Sequence, residues 1–392
     1  LENRLSRGVL LYKILFIQER LPLSKNTDIR FTSVVRDLPS IVPFVGPDEQ
    51  ERQSGIKFRA RMGANESGFG PSPKAIAAMN EAAELSWQYS DPDNHNLRQA
   101  LADFYNVGYE NVMVGEGIDG LLGCVAHMFV EPGVDVITSL GSYPTFNFHI
   151  KSRGGTLHLV PYKDNHEDQN ALLAKAKETN ASLLYFSNPN NPMGTWWSAD
   201  KMQGMIDNLP KGTTLVLDEA YIETAEEGVA PAIDVTNPQV LRFRTFSKLY
   251  GMAGARIGYV IGHPELISAF DKVRNHYGVN IVGQRGALAA LEDQTYMDEV
   301  KLKVAKGRDR IHAIAKSHGL TSIPSATNFV TIDCGKDSDF AKLVLSKMLE
   351  RGVFMRMPGV EPQSKCVRVS IGLDHEMDIF EEEFAAVLKE LS

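Results

Sequence analysis

At 392 residues the chain exceeds the size at which one hydrophobic core usually keeps growing, so a large domain and a smaller one are expected. Hydrophobic residues at 43% and charged residues at 23% are globular proportions, and 41 basic against 49 acidic side chains leave a formal charge of -8, with no basic surplus for a nucleic-acid backbone. The cysteines, Cys124, Cys334 and Cys366, stand far apart without CxxC spacing, so neither a disulfide framework nor a metal site is read and a reducing, cytoplasmic setting is expected.

Residues 1–30 begin with basic residues followed by an apolar run, the order found in a secretory signal. Lys13 interrupts the run, no small-residue cleavage site follows, and the apolar part is shorter than the roughly 20 residues that span a bilayer. The segment is read as an N-terminal arm, with no membrane partner. From about residue 111 to 262, β-rich runs alternate with helical stretches: NVMVG, DVITSL, TLHLVPY, SLLYFSN, TLVLDEA, VLRFRTF and IGYVIG. This alternation predicts a seven-stranded, mostly parallel sheet covered on both faces. A helix near 264–274 and a long one over about 296–318 lead out of it. The runs NFVTIDC, VFMRM and CVRVSIG, interleaved with helices near 338–350 and 375–390, then predict a small α+β domain. The expected organisation is an arm over 1–30, a segment over 31–73 packing with the small domain, a large domain over 74–290 and a small domain over 291–392.

Several polar groups fall at the ends of these runs. Gly115-Glu116-Gly117-Ile118-Asp119-Gly120 follows one strand and opens a helix, a formal GxGxxG. A dinucleotide site also needs an acid near the end of the next strand, and here the nearest, Asp135, stands at that strand's start. The free N–H groups and partial positive charge of the helix end suit a single phosphate better. Asp218 ends the apolar run Leu215-Val216-Leu217, where α/β proteins bind ligands and where a carboxylate is costly unless paired. Lys248, in Arg244-Thr245-Phe246-Ser247-Lys248, ends the next run facing the same crevice, and a lysine there becomes a nucleophile near neutral pH once desolvated or set beside other cations.

The segment from Arg244 through Lys248 to Arg256 resembles the Schiff-base lysine motif of the class I/II aminotransferases, and the resemblance extends over about residues 31–392. It implies an α/β, aspartate-aminotransferase-like fold and pyridoxal 5'-phosphate bound through Lys248. Asp218 would hold the proton on the pyridine nitrogen, keeping the ring an electron sink. Asn191, in Ser187-Asn188-Pro189-Asn190-Asn191-Pro192-Met193-Gly194, and Tyr221 would donate to the phenolic oxygen. The stacking aromatic falls on Phe146, with Tyr143 as the alternative. Ser247, Arg256 and the backbone at Ile118 and Asp119 would hold the phosphate, for which an arginine fork is suited.

On the substrate side the resemblance gives Arg368, in Val367-Arg368-Val369-Ser370-Ile371-Gly372, to a carboxylate, Arg356 to a substrate phosphate, and Asn65 to the substrate pocket. Asn65-Glu66-Ser67-Gly68-Phe69-Gly70-Pro71-Ser72 and Tyr89-Ser90-Asp91-Pro92 are similar to segments of the histidinol-phosphate aminotransferase branch, in which the tyrosine reaches the cofactor phosphate of a neighbouring subunit. The implied protein is a homodimer with shared active sites. It moves an amino group from an amine to a 2-oxo acid, in ping-pong order with 2-oxoglutarate as acceptor. The chain departs from the family pattern at Ser67-Gly68, Met193 and Gly120. The same residue set serves decarboxylation in threonine-phosphate decarboxylase, or cofactor binding without catalysis in a paralogue, so the motifs leave these readings open beside transamination.

Overall fold

The computed structural model describes residues 28–39 and 45–392, and all but the last three residues of the arm expected over residues 1–30 lie outside them. The described strands are β1 (Ala60–Arg61), β2 (Val112–Gly115), β3 (Asp135–Ser139), β4 (Thr156–Val160), β5 (Leu183–Ser187), β6 (Thr214–Asp218), β7 (Val240–Thr245), β8 (Gly258–Gly262), β9 (Thr321–Ser322), β10 (Phe329–Asp333), β11 (Val353–Phe354) and β12 (Cys366–Ser370). The seven runs read from the sequence form one sheet in the order β2-β8-β7-β6-β5-β3-β4. β8 runs antiparallel to both of its neighbours, and the remaining neighbours pair in parallel. This is the aspartate-aminotransferase-like fold.

Every residue of β5, β6, β7 and β8 is buried, as befits strands covered on both faces. The period of two divides their side chains. Leu183, Tyr185, Val216 and Phe243 pack with helices Gly117–Phe129 and Pro144–Ser152. Leu184, Phe186, Leu215 and Leu217 pack with helices Gln169–Thr179 and Ala199–Asp207. Asp218, two residues after Val216, therefore emerges on the Tyr185 side at the C-terminal end of the sheet.

The small domain joins the antiparallel sheet β12-β10-β9 to the parallel pair β1-β11. Helices Ser338–Glu350 and Asp374–Leu391 bury Val344, Met348, Phe380 and Phe384 against Val330, Ile332, Val367 and Val369. Ala60 and Met62 join the same core, which ties the N-terminal segment to this domain. Among the elements not expected from the sequence are the two-residue strands β1 and β9 and a helix over Ile281–Glu292. Among the described residues no helix is long and apolar enough to cross a membrane.

Candidate active site

Beyond β7 the chain reverses at once. Gly251 N–H donates to the Lys248 carbonyl at 3.0 Å and Met252 N–H to that of Phe246 at 2.9 Å. Phe246 is wholly buried and anchors the turn from below. Gly251 has φ 69°, and a Cβ there would lie 2.3 Å from the Gly70 carbonyl, so the position requires glycine on both counts. Lys248 is half-buried; its Nζ donates to the Asn65 carbonyl at 3.2 Å and stands 5.5 Å from the Tyr221 ring centroid.

Asp218 is buried beside it. Tyr185 donates its hydroxyl to Asp218 Oδ2 at 2.5 Å, and Ala220 N–H donates to Oδ1 at 2.9 Å. Burial pushes the Asp218 carboxyl up to about 6, against the Tyr185 and Ala220 hydrogen bonds, which pull it down. A carboxyl so placed can pair with a protonated ring nitrogen. Tyr185 was not singled out in the sequence; its signal was a tyrosine inside a fully buried strand, whose hydroxyl must find a partner.

The asparagine turn closes β5. Asn188 pins it by accepting from Trp197 N–H at 2.8 Å and donating to the Val229 carbonyl at 3.2 Å. Gly194 (φ 82°) packs so closely on Ser325 that a Cβ would lie 2.7 Å from its Oγ. Arg368 on β12 donates through Nη1 to Asn191 Oδ1, which leaves the Asn191 Nδ2 hydrogens for another acceptor. Arg368 also donates to the Gly63 carbonyl at 3.1 Å and lies over the Phe329 ring. Its Nε is buried with no partner among the described residues. Arg356 pairs with Arg368 through the backbone and donates to the Val45 carbonyl at 2.8 Å. Burial first, and the neighbouring Arg368 charge second, bring the Arg356 guanidinium down to about 10. Two guanidinium groups held side by side form an anion pocket.

At the other end of the site, helix Gly117–Phe129 begins directly after β2. Arg256 (φ 57°) faces its first turn, 3.5 Å from Asp119, and a Cβ on Gly117 would lie 2.6 Å from the Arg256 guanidinium. Ser247 Oγ accepts from Thr245 Oγ1 at 2.9 Å on the strand behind. Free helix N–H groups, a hydroxyl and an arginine make a phosphate cradle. Asp135 is engaged by His158 at the start of β3, remote from a ribose position.

Phe146 was expected to stack on the cofactor ring, with Tyr143 as the alternative. Phe146 is 0% exposed and stacks on Tyr185 with ring centroids 4.6 Å apart, as part of the core beneath the sheet. The helix starts at Pro144, so Phe146 and Ile150 form its buried i, i+4 face. The ring nearer the site is that of Tyr143, which donates to Asp119 Oδ1 at 2.8 Å and lies close enough to Tyr221, Arg356 and Arg368 for mutual electrostatic influence. Asn65 is buried, and both ends of its amide are committed to protein partners, Ser370 and Tyr221. Tyr89 is 84% exposed and tilts against Tyr277 at 4.9 Å.

The model of the family "Aminotransferase class I and II" matches residues 60–380, and the fold and site together define that class of protein. Histidinol-phosphate aminotransferase of Moorella thermoacetica is 31% identical over 348 residues, 87% of this chain and 89% of its own length. That of Anaeromyxobacter sp. is 34% identical over 352 residues, 87% of this chain and 94% of its own. The crystal structure of histidinol-phosphate aminotransferase from Sinorhizobium meliloti in complex with pyridoxal-5'-phosphate has 48% identity and a TM-score of 0.91, covering 94% of this chain and 100% of that one. Thermus thermophilus aspartate aminotransferase, at 22% identity and a TM-score of 0.78, shares the fold. The chain belongs to the class I and II aminotransferases, in the histidinol-phosphate aminotransferase family.

Proposed function

We propose that this pyridoxal-phosphate-dependent aminotransferase takes histidinol phosphate as amino donor and 2-oxoglutarate as acceptor. The observation that carries the reading is the meeting of Lys248, Asp218, Tyr221 and Asn191 at the C-terminal end of the central strands, opposite the adjacent Arg356 and Arg368. The donor set fits the cofactor at each end: a cradle for phosphate, a carboxylate for the ring nitrogen and an amine for the aldehyde. When bound, pyridoxal phosphate supplies an electrophilic carbon and a ring that withdraws electrons from the substrate Cα.

The chain's own groups do the rest. Lys248 would hold the cofactor through Nζ and, as a free amine, would carry a proton between the substrate Cα and the cofactor C4′. Asp218 holds the pyridine proton. Asn191 Nδ2 and the Tyr221 hydroxyl donate to the phenolic oxygen, and the Tyr143 ring covers one face. Arg256, Ser247 and the Ile118 and Asp119 N–H groups hold the phosphate. Arg368 receives the carboxylate of the 2-oxo acid, and Arg356 the phosphate of histidinol phosphate.

Tyr89 belongs to a neighbouring subunit's site. Its segment is pinned to the 274–279 loop, by Ser90 donating to the Val279 carbonyl at 2.6 Å and Arg274 to that of Pro92 at 2.7 Å. That loop reaches the phosphate end through Asn275, which donates to Glu116 at 2.9 Å. A homodimer follows, with a large domain over 74–290 and a small one over 291–392. Cys124, Cys334 and Cys366 as free thiols fit a reducing cytoplasm.

A spectroscopic screen of amino acids and histidinol phosphate against the cofactor-loaded protein tests the substrate. Conversion to the amino form of the cofactor by histidinol phosphate, reversed by 2-oxoglutarate, is expected. Carbon dioxide release without that conversion would select a decarboxylase instead. Borohydride trapping and peptide mapping should label Lys248, and Lys248→Ala should lose at least ~10^4-fold in turnover.

A further inference from the structure

Tyr221 is 4% exposed, and its hydroxyl is met from behind by Asn65 Nδ2 at 3.0 Å. An amide alone leaves open which end faces the tyrosine. Here the surroundings decide it. The Asn65 backbone N–H donates to Ser370 Oγ at 3.0 Å, so the serine oxygen is used as an acceptor. That oxygen could accept a second time, but the hydrogen of this buried hydroxyl needs an acceptor, and it finds one in Asn65 Oδ1, 2.9 Å away. With Oδ1 taken, the amide nitrogen faces Tyr221 and can only donate to it. The tyrosine oxygen is thereby an acceptor on its protein side, and its hydrogen must point the other way, into the site. The order of donation runs in one direction, from the Asn65 backbone N–H through Ser370 and the Asn65 side chain to Tyr221.

The backbone holds this arrangement in place. Asn65 sits at φ 55°, in the left-handed region that Asn and Asp tolerate better than other side chains. Its carbonyl accepts from Lys248 Nζ at 3.2 Å and Asn328 Nδ2 at 3.0 Å. One residue thus connects β12 of the small domain to two groups of the proposed chemistry.

We propose that Asn65 is a positioning residue that fixes the direction of the Tyr221 hydroxyl hydrogen, and that Ser370 fixes Asn65. The inference rests on the reading of Tyr221 as a donor to the cofactor's phenolic oxygen. A donor there draws charge from the phenolate and weakens its hold on the proton of the lysine-linked nitrogen. If the hydrogen turns away, that proton is held more tightly. The charged and titratable groups facing Tyr221, namely Lys248, Arg368 and Tyr143, are untouched by the substitutions below.

Asn65→Asp presents acceptors to Tyr221, so the tyrosine turns its hydrogen back toward residue 65. In the cofactor-loaded enzyme, the pH at which the visible band changes should rise by about one unit, as it should in Tyr221→Phe. The two changes combined should shift it no further than Tyr221→Phe alone. Ser370→Ala, which frees the amide to rotate, should move it the same way by less. The wild-type titration in Asn65→Asp, or in Ser370→Ala where Asn65→Asp does not fold, overturns the inference. An Asn65→Asp shift that persists in the Tyr221→Phe background also overturns it, by showing the new charge acting on its own. No shift in Tyr221→Phe removes the donor role of Tyr221 and the inference together, whereas a shift there without one in Asn65→Asp leaves that role standing.

Discussion

Glu167 is a buried acid at the foot of the asparagine turn. Its Oε2 accepts from Ser187 N–H at 3.0 Å and from Ser187 Oγ at 3.2 Å, where β5 gives way to the turn. Burial pushes its carboxyl from an ordinary value near 4.5 up to about 7, against the hydrogen bonds from Ser187, Ser139 and Asn190. With the folded value raised, the unfolded chain loses this proton first as pH rises, so the group's contribution is greatest below about 4.5 and falls away through about 7. Glu167→Gln keeps an acceptor for Ser187 and removes the titration. Its melting temperature relative to the parent should therefore climb between pH 5 and pH 8, by the equivalent of up to roughly 3 kcal/mol. A difference that stays flat with pH, measured by calorimetry, would show that Glu167 is not held protonated. Asp218→Ala acts on the chemistry instead: with Lys248 still labelled by borohydride, turnover should fall roughly 10^2- to 10^3-fold. At this scale the sequence was most legible where a polar residue ended an apolar run, as at Asp218 and Lys248. It was least legible for Phe146 against Tyr143, two rings on either side of Pro144 of which the first is wholly buried and the second reaches Asp119. Met193, one of the departures from the family pattern, is 0% exposed against Ile323 and Cys366, filling space rather than lining the site.

At the scale of elements, β8 decides the geometry of the proposed phosphate end. It runs against its neighbours, and Gly258 at its start presses on the helix that opens after β2. A Cβ on Gly258 would lie 2.7 Å from Gly117 C and Ile118 N, both of them backbone atoms that cannot swing aside. Gly258→Ala should displace the first helical turn at a cost of about 1–3 kcal/mol and raise the cofactor dissociation constant about tenfold or more. An unchanged constant from an absorbance titration would show that this turn does not carry the phosphate. The strands were legible because β-branched and apolar runs of five or so residues are distinctive, whereas the reversal of β8 is a matter of topology that no run of residues encodes. The helix over Ile281–Glu292 escaped notice for a local reason. Gly283 and Gly286 read as helix-weakening residues, yet both are buried, and a Cβ on Gly286 would lie 2.5 Å from Met79 Cγ on helix Pro73–Ala83. Close approach of two helices is what Gly286 serves, while Gly283 packs against Ile257 and the Ala255 carbonyl. The strands β1 and β9, two residues each, are too short to carry any periodicity.

At the scale of the whole molecule, Trp87 and Tyr89 are 83% and 84% exposed, and Tyr277 beside them is 53% exposed. Scattered exposed aromatics need no explanation, but this group stands on one pinned segment and loop that border the cradle, the form of a surface awaiting a partner. A second copy of the chain, supplying its own Tyr89 to the phosphate, satisfies both the exposure and the proposed site. Stable interfaces of this kind remove on the order of 1,600 Å² from solvent and centre on aromatic anchors. Trp87→Asp would place a charge at such a centre. Sedimentation should report a dimer for the parent and a monomer for Trp87→Asp, with at least tenfold weaker cofactor binding in the monomer because Tyr89 of the other copy is gone. Tyr89→Phe should stay dimeric and lose only the hydroxyl's share of that affinity, separating assembly from ligation. A Trp87→Asp monomer that binds pyridoxal phosphate as tightly as the parent would place the whole phosphate site within one chain and end the case for shared sites.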